Sequence, residues 1–291
     1  MQPLLGAPVL EAIQQQMKSE AEKLKAEGKR TPHLAIILLG NNGASETYVK
    51  KKLEQFASVG FLATLHRMEE TVSQEMLLQK VKAINADDSV DGLIVQLPLP
   101  KQISADEVIA AIDPKKDVDG FHPANMGKLC IGQDSFVPAT PMGIVLMLRH
   151  YGISVKGKHV VVVGRSNIVG RPISILMNNA SSDGNATVTV CHSHTQNLKE
   201  ICLQADVLIA ALGKPEFVTA DMIKEGAVII DVGITRVTDA SKKSGFSIKG
   251  DVHYEECSPK SSFITPVPGG VGITTVAALL MNTWKAYQKN N

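Results

Sequence analysis

Tyr48 and Lys52 stand four residues apart in a stretch of helical character, a spacing that puts a phenol and an amine on one helix face. An amine whose pKa is lowered by burial can move protons near neutral pH. With Lys50 and Lys51 beside it, the same pattern also describes a plain solvated helix. Gln96 follows the apolar run of a strand in VQLPLP (95–100). A polar side chain at the carboxyl end of a buried parallel strand lies where α/β proteins bind ligands; hydrogen bonding to the following loop is the other reading. Asp117 and Asp119 lie in KKDVDGFHPANMG. Their spacing hints at calcium, but the later carboxylates of such a loop are missing, and a turn with Asp side chains on local amides accounts for them. The glycines of PVPGGVG (266–272), after Thr265, allow close backbone approach to a ligand, or simply turn the chain into its last helix.

Residues 160–172, VVVVGRSNIVGRP, are the strongest single signal. Four β-branched residues without polar alternation read as a strand buried on both faces, as in a parallel sheet. Gly164 permits a sharp turn, and the amides opening the next helix point to where a dinucleotide pyrophosphate sits in doubly wound folds. Ser166 stands where the usual fingerprint has its second glycine, so a plain strand–turn–helix connection fits this stretch equally.

The chain has 291 residues, enough for two domains, with 44% hydrophobic and 20% charged residues, a composition that supports a substantial core. A net charge of +1 argues against nucleic acid or an anionic membrane as partner. No apolar run approaches membrane-spanning length and no targeting segment opens the chain. Cys130, Cys191, Cys202 and Cys257 are scattered without a Cys-x-x-Cys pair, which reads as reduced thiols in a cytoplasmic protein. His192 and His194 stand two residues apart at a strand end without a nearby carboxylate, so no metal is expected there.

The elements that must position these residues alternate. Helices are expected over 8–27, 45–59, 73–86 and 104–112, and strands at 33–40, 61–68 and 91–100. Residues 113–141 lack periodicity and read as a long loop or domain junction. A helix from about Pro141 leads to the valine strand, and further strands follow at 186–191, 206–212 and 227–233. Residues 239–247 read as an exposed loop, and a final helix runs to about Tyr287. The repetition predicts parallel strands with right-handed crossovers, an α/β protein of two domains.

Taken together, TYVKKK, VQLPLP, KDVDGFHPAN, PATPMG, VVVVGRSNIVGRP, CHSHT, DVGI, GDV and ITPVPGGVG follow the order and approximate spacing of one family. Over nearly its whole length the chain resembles the bifunctional methylenetetrahydrofolate dehydrogenase/methenyltetrahydrofolate cyclohydrolases. Short-chain dehydrogenases, which also use Tyr-x-x-x-Lys, place that pair after the cofactor glycines, the reverse of the order here. The resemblance implies a folate-binding catalytic domain, residues 1–145 with the last helix 276–291, and a Rossmann-like NADP-binding domain with a parallel sheet, 146–275, the substrate lying in the cleft between them. It implies NADP-dependent oxidation of 5,10-methylene-tetrahydrofolate to the methenyl form, then hydrolysis to 10-formyl-tetrahydrofolate, by a homodimer joined through the cofactor domain.

By the same resemblance Lys52 is the catalytic lysine, and Gln96 is expected to hydrogen-bond it. Tyr48 packs on the folate, Asp119 accepts from the pterin edge, and Pro266, Gly269 and Gly270 let the backbone approach the substrate. Gly164, Arg165 and Ser166 form the phosphate turn, with Ser193 and Ile234 completing the cofactor site. The second strand of that domain ends in Cys191-His-Ser-His-Thr, without the acidic residue typical of NAD sites; with Arg165 near, this favours NADP. The chain departs from the family pattern in three places. Ala139 replaces a usual cysteine. His194 replaces a Lys or Arg, which is expected either to weaken 2′-phosphate binding or to make it depend on pH. Ile273 and Thr274 replace Pro-Met, which loosens the turn into the last helix. Two rival readings stay open: another NADP oxidoreductase on the same architecture, such as a shikimate-type dehydrogenase, and a non-catalytic folate- or nucleotide-binding protein.

Overall fold

The computed structural model describes residues 1–242 and 245–290; Lys243, Ser244, Asn291 and the side chain of Ala44 lie outside the described residues. The chain divides into two compact units. One comprises Glu11–Ala139 with Val276–Asn291, the other Met1–Leu10 with Thr140–Thr275. The first ten residues thus go with the second unit, whereas the sequence placed them with the first. Gln2–Pro3 pairs in parallel with Phe263–Ile264 and so ends the second unit's sheet.

The first unit holds a three-stranded parallel sheet in the order Leu62–Met68, His33–Leu39, Gly92–Val95. The central strand is apolar on both faces, and every residue from Leu34 to Leu39 is buried. Ala35, Ile37 and Leu39 share one core with Leu77, Val81 and Ile84 of the helix Gln74–Asn85. That helix starts where Ser73 accepts from the Met76 amide at 3.2 Å, and Ser104 likewise caps Ala105–Ala111 by accepting from Glu107. The third strand, expected over 91–100, is the shorter Gly92–Val95, whose register with the central strand ends at Val95 opposite Ile37.

Residues 113–141, expected as loop, contain the helix Pro123–Cys130, opened by Ala124 N donating to His122 Nδ1 at 3.0 Å. Only Asn125 and Leu129 of its eight residues are buried, so no apolar period marks it. Asn282 of the terminal helix ties this segment down by donating to the carbonyls of Val118 and Val137 at 2.8 and 2.9 Å.

The second unit is a six-stranded parallel sheet in the order Gln2–Pro3, Phe263–Ile264, Val228–Asp231, Val207–Ala210, His159–Val163, Thr187–Cys191. Val160 to Val163 are fully buried, each contributing about 1.5–3 kcal/mol of burial free energy. From His159–Val163 the chain goes first to one side and then returns to the other, so a topological switch point lies at the carboxyl end of that strand. The stretch read as an exposed loop at 239–247 is flanked by an antiparallel hairpin, Thr235–Thr238 with Phe246–Lys249; residues 243–244 of it lie outside the described residues. Among the described residues no helix is long and apolar enough to cross a membrane.

Ile36 is fully buried in the central strand of the first unit. Ile36→Ala is expected to cost about 2–5 kcal/mol, read in urea as a lower midpoint with an unchanged slope.

Candidate active site

The helix Gly43–Ser58 buries Ser45, Val49, Lys52 and Phe56, positions spaced as one helical stripe. Lys52 therefore occupies a core position of its helix and is 8% exposed. Its Nζ donates to Gln96 Oε1 at 3.0 Å, the contact expected of these two residues. Gln96 is itself held by donating through Nε2 to the Leu97 carbonyl at 2.8 Å. Burial lowers the pKa of the Lys52 amine, and the charge of Asp119 only partly opposes this. The Asp119 carboxyl moves the other way, raised by burial and partly restrained by Lys52. Tyr48, one turn before Lys52, is 39% exposed.

Asp117 and Asp119 behave differently. Asp117 is buried and accepts from Phe121 N at 3.1 Å, His122 N at 2.8 Å and Asn125 Nδ2 at 2.8 Å, the local turn weighed from the sequence. Burial pushes its carboxyl up to about 6 against those three bonds. Nothing among the described residues hydrogen-bonds to the Asp119 carboxylate, which lines a small apolar cavity with Leu97, Leu99 and Phe121. Its acceptor capacity is free.

The remaining candidate residues belong to the second unit. Gly164 has φ +125°, and a Cβ there would lie 2.1 Å from the Ala211 carbonyl oxygen. Ser166 Oγ accepts from the amides of Val169 and Gly170 at 3.2 and 3.3 Å and closes the turn into Gly170–Asn178. The amides of Arg165, Ser166, Asn167 and Ile168 have no acceptor among the described residues, and these residues are exposed. Exposed amide donors at the switch point suit a phosphate. Ser193 is exposed just beyond the strand Thr187–Cys191, and Ile234 is exposed just beyond Val228–Asp231. Gly269 has φ +118°, accepts from Gly6 N through its carbonyl at 2.8 Å, and follows a cis peptide at Val267–Pro268. Gly270 is buried, and a Cβ there would lie 2.7 Å from the Pro266 carbonyl oxygen.

His194 N donates to His192 Nδ1 at 3.2 Å, which makes that nitrogen an acceptor. One trio with metal-ligand spacing went unread in the sequence: Glu216, His253 and Glu255, whose ligand atoms lie within 4.8 Å of one another. Glu216 is already paired there with Lys249 at 2.8 Å. Asp231 and Asp251 were given no role from the sequence. For Asp231 a signal was available, an acidic residue closing the apolar run VII just as Gln96 closes GLIV.

These features define a two-unit α/β protein, with a turn of amides that lack an acceptor among the described residues at the switch point of one sheet and a buried amine beside the other. The chain belongs to the tetrahydrofolate dehydrogenase/cyclohydrolase family. That family's catalytic-domain model matches residues 4–119 and its NAD(P)-binding-domain model residues 138–291. Among curated relatives, the bifunctional protein FolD of Cytophaga hutchinsonii is 54% identical over 286 residues, 98% of this chain and 99% of that protein. The crystal structure of the bifunctional dehydrogenase/cyclohydrolase FolD of Campylobacter jejuni, 43% identical, matches with a TM-score of 0.93 over 100% of both chains. The Trypanosoma brucei methylenetetrahydrofolate dehydrogenase-cyclohydrolase, a structure complexed with NADP cofactor and inhibitor, is 36% identical, with a TM-score of 0.92 over 98% of this chain and 96% of that one.

Gly164→Ala is expected to destabilise the protein by about 1–3 kcal/mol, because the new methyl meets backbone at a positive φ. Gly127→Ala, in a helix with open space at the Cβ, is expected to stabilise by about 0.5–1 kcal/mol. Urea unfolding of the two variants reads the opposite signs.

Proposed function

We propose that this chain oxidises 5,10-methylene-tetrahydrofolate to the 5,10-methenyl cation with NADP, then hydrolyses that cation to 10-formyl-tetrahydrofolate. Family membership supports both activities. The observation that carries the assignment of residues is the Lys52 amine, buried and held by Gln96 at 3.0 Å. When bound, NADP supplies the hydride acceptor for the first step. Gly164, Arg165 and Ser166 bind its phosphates, the exposed amides of that turn being the support for this, and Ser193 and Ile234 complete its site. Tyr48 packs on the folate, the free Asp119 carboxyl accepts from the amino-pyrimidine edge of the pterin, and Pro266, Gly269 and Gly270 bring backbone to the substrate. The unit Glu11–Ala139 with Val276–Asn291 serves as the folate-binding catalytic domain and the other as the NADP domain.

In the hydrolysis, water adds to the methenyl carbon and Lys52 in its neutral form accepts a proton from it. One carbon–nitrogen bond then breaks, the formyl group stays on the other nitrogen, and one proton is released overall. Burial serves this step by enlarging the neutral fraction of the amine. Gln96 holds the amine in place. Two further parts of the reading are a cytoplasmic location, which the free cysteines support, and a homodimer through the cofactor unit. The latter is supported by the open edge strand Thr187–Cys191, where Val190 is 38% exposed.

Lys52→Met is expected to lower the hydrolysis of methenyl-tetrahydrofolate by about 10²–10⁴-fold. Its unfolding midpoint is expected to be unchanged or raised, since an apolar side chain replaces a buried amine of similar length. A spectrophotometric assay following NADPH formation and methenyl decay together reads both activities; parental hydrolysis by this variant refutes the role. The pH profile has a definite sign. A base with a lowered pKa gains its active, neutral form as pH rises, so the hydrolysis rate rises through that lowered value and then levels.

A further inference from the structure

We infer that Asp251, braced by Asp231, is a positioning residue for the cofactor, holding the turn 212–214 against the phosphate turn. This rests on the reading that the second unit binds NADP. Asp251 is fully buried, yet no cation pairs with it among the described residues. Its Oδ2 accepts from Leu212 N at 2.6 Å and Gly213 N at 3.0 Å, and its Oδ1 accepts from Lys214 N at 2.8 Å. Three successive amides thus curl around one carboxylate from more than a strand away in sequence. Asp231 repeats the device at the end of its own strand. Its Oδ1 accepts from Gly233 N at 2.9 Å and Asp251 N at 2.8 Å, and its Oδ2 from Val252 N at 3.0 Å. The Asp231 amide donates in turn to Thr265 Oγ1 at 2.6 Å, just before Pro266.

The packing leaves this assembly no slack. A Cβ on Gly233 would lie 2.5 Å from Asp251 Oδ1, and one on Gly250 would lie 1.9 Å from Asp231 Oδ2. Ala211, which leads into the held turn, has its carbonyl oxygen in the space a Gly164 Cβ would fill. A shift of residues 212–214 is therefore felt at Gly164, the first residue of the phosphate turn. Burying a carboxylate is costly, and apolar residues would fill the same volume without that cost. What the two carboxylates supply is a fixed backbone shape at the carboxyl ends of Val207–Ala210 and Val228–Asp231, the face on which parallel sheets bind ligands.

Asp251→Asn keeps the shape but offers a donor where one oxygen accepted, so at least one of the three amides loses its partner. The expected result is a KM for NADP raised tenfold or more. The kcat at saturating NADP stays within about twofold, and hydrolysis of methenyl-tetrahydrofolate without NADP runs at the parental rate. Loss of stability alone lowers both activities together and does not split KM from kcat in this way. A folded Asp251→Asn with the parental KM overturns the inference. Should that variant fail to fold, Gly213→Val decides. Its backbone is left-handed at φ +69° and its Cβ would face open space, so the substitution strains the turn without touching the core. A raised KM for NADP with parental hydrolysis supports the inference, and a parental KM overturns it. A parental chain with no NADP-dependent oxidation at all overturns the functional reading instead, which is a separate result.

Discussion

The interaction on which the rest of the site depends is the burial of one amine. Lys52 takes a place in the stripe Ser45, Val49, Lys52, Phe56 that an apolar residue would ordinarily fill. An ammonium there is penalised by lost hydration, and among the described residues it finds one neutral acceptor, Gln96, and the field of one carboxyl, Asp119. That support holds the side chain in a single orientation, while the charged form remains disfavoured by burial. A full ion pair would have raised the pKa back toward the ordinary lysine range and left an amine unable to take a proton near neutrality. Arg30 shows the contrast in the same unit: two bonds of 2.6 and 2.8 Å to the buried Asp91 carboxylate favour its charged form and raise its pKa.

In the second unit the equivalent constraint is space. Four buried valines bring the chain to the switch point of the sheet, where the strand must turn under the Ala211 carbonyl. Only a residue without a Cβ passes there at φ +125°. The departure from the usual fingerprint at Ser166 is compensated locally. A glycine would allow close approach, whereas here the serine hydroxyl accepts the amides of Val169 and Gly170, while those of residues 165–168 have no acceptor among the described residues. The turn keeps its donors by a different route.

Most of the architecture was legible because both sheets are parallel and bury the strands HLAIILL, GLIV, HVVVV, VLIA and VIID almost completely, so these stand out as apolar runs. The helix Pro123–Cys130 was not, since it buries just two of its residues, and the chain on either side of it is held by Asn282, far away in sequence. The hairpin around 239–247 was missed because its strands bury alternate residues only partly and its tip is rich in Lys and Ser. The stripe that buries Lys52 could have been read from Val49 and Phe56, but the neighbouring Lys50 and Lys51 masked it. Gln96 was legible from its place at a strand end. The long-range partners of Asp251, 37 to 39 residues away, leave no local pattern at all.

Strand ends therefore need a second criterion, and the backbone amides supply it. Asp117, Asp231 and Asp251 each accept from two or three amides and are spent on shaping the chain. Asp119, two residues from Asp117 in the same loop, accepts from none among the described residues and is left with its lone pairs free beside an apolar cavity. Gln96 is intermediate: its amide nitrogen is spent on the Leu97 carbonyl, and its oxygen is aimed at an amine. A buried polar group must be satisfied by something. Where the chain supplies the donors, the group builds structure; where it leaves an acceptor open at the carboxyl end of a parallel sheet, the missing donor is one a substrate can bring.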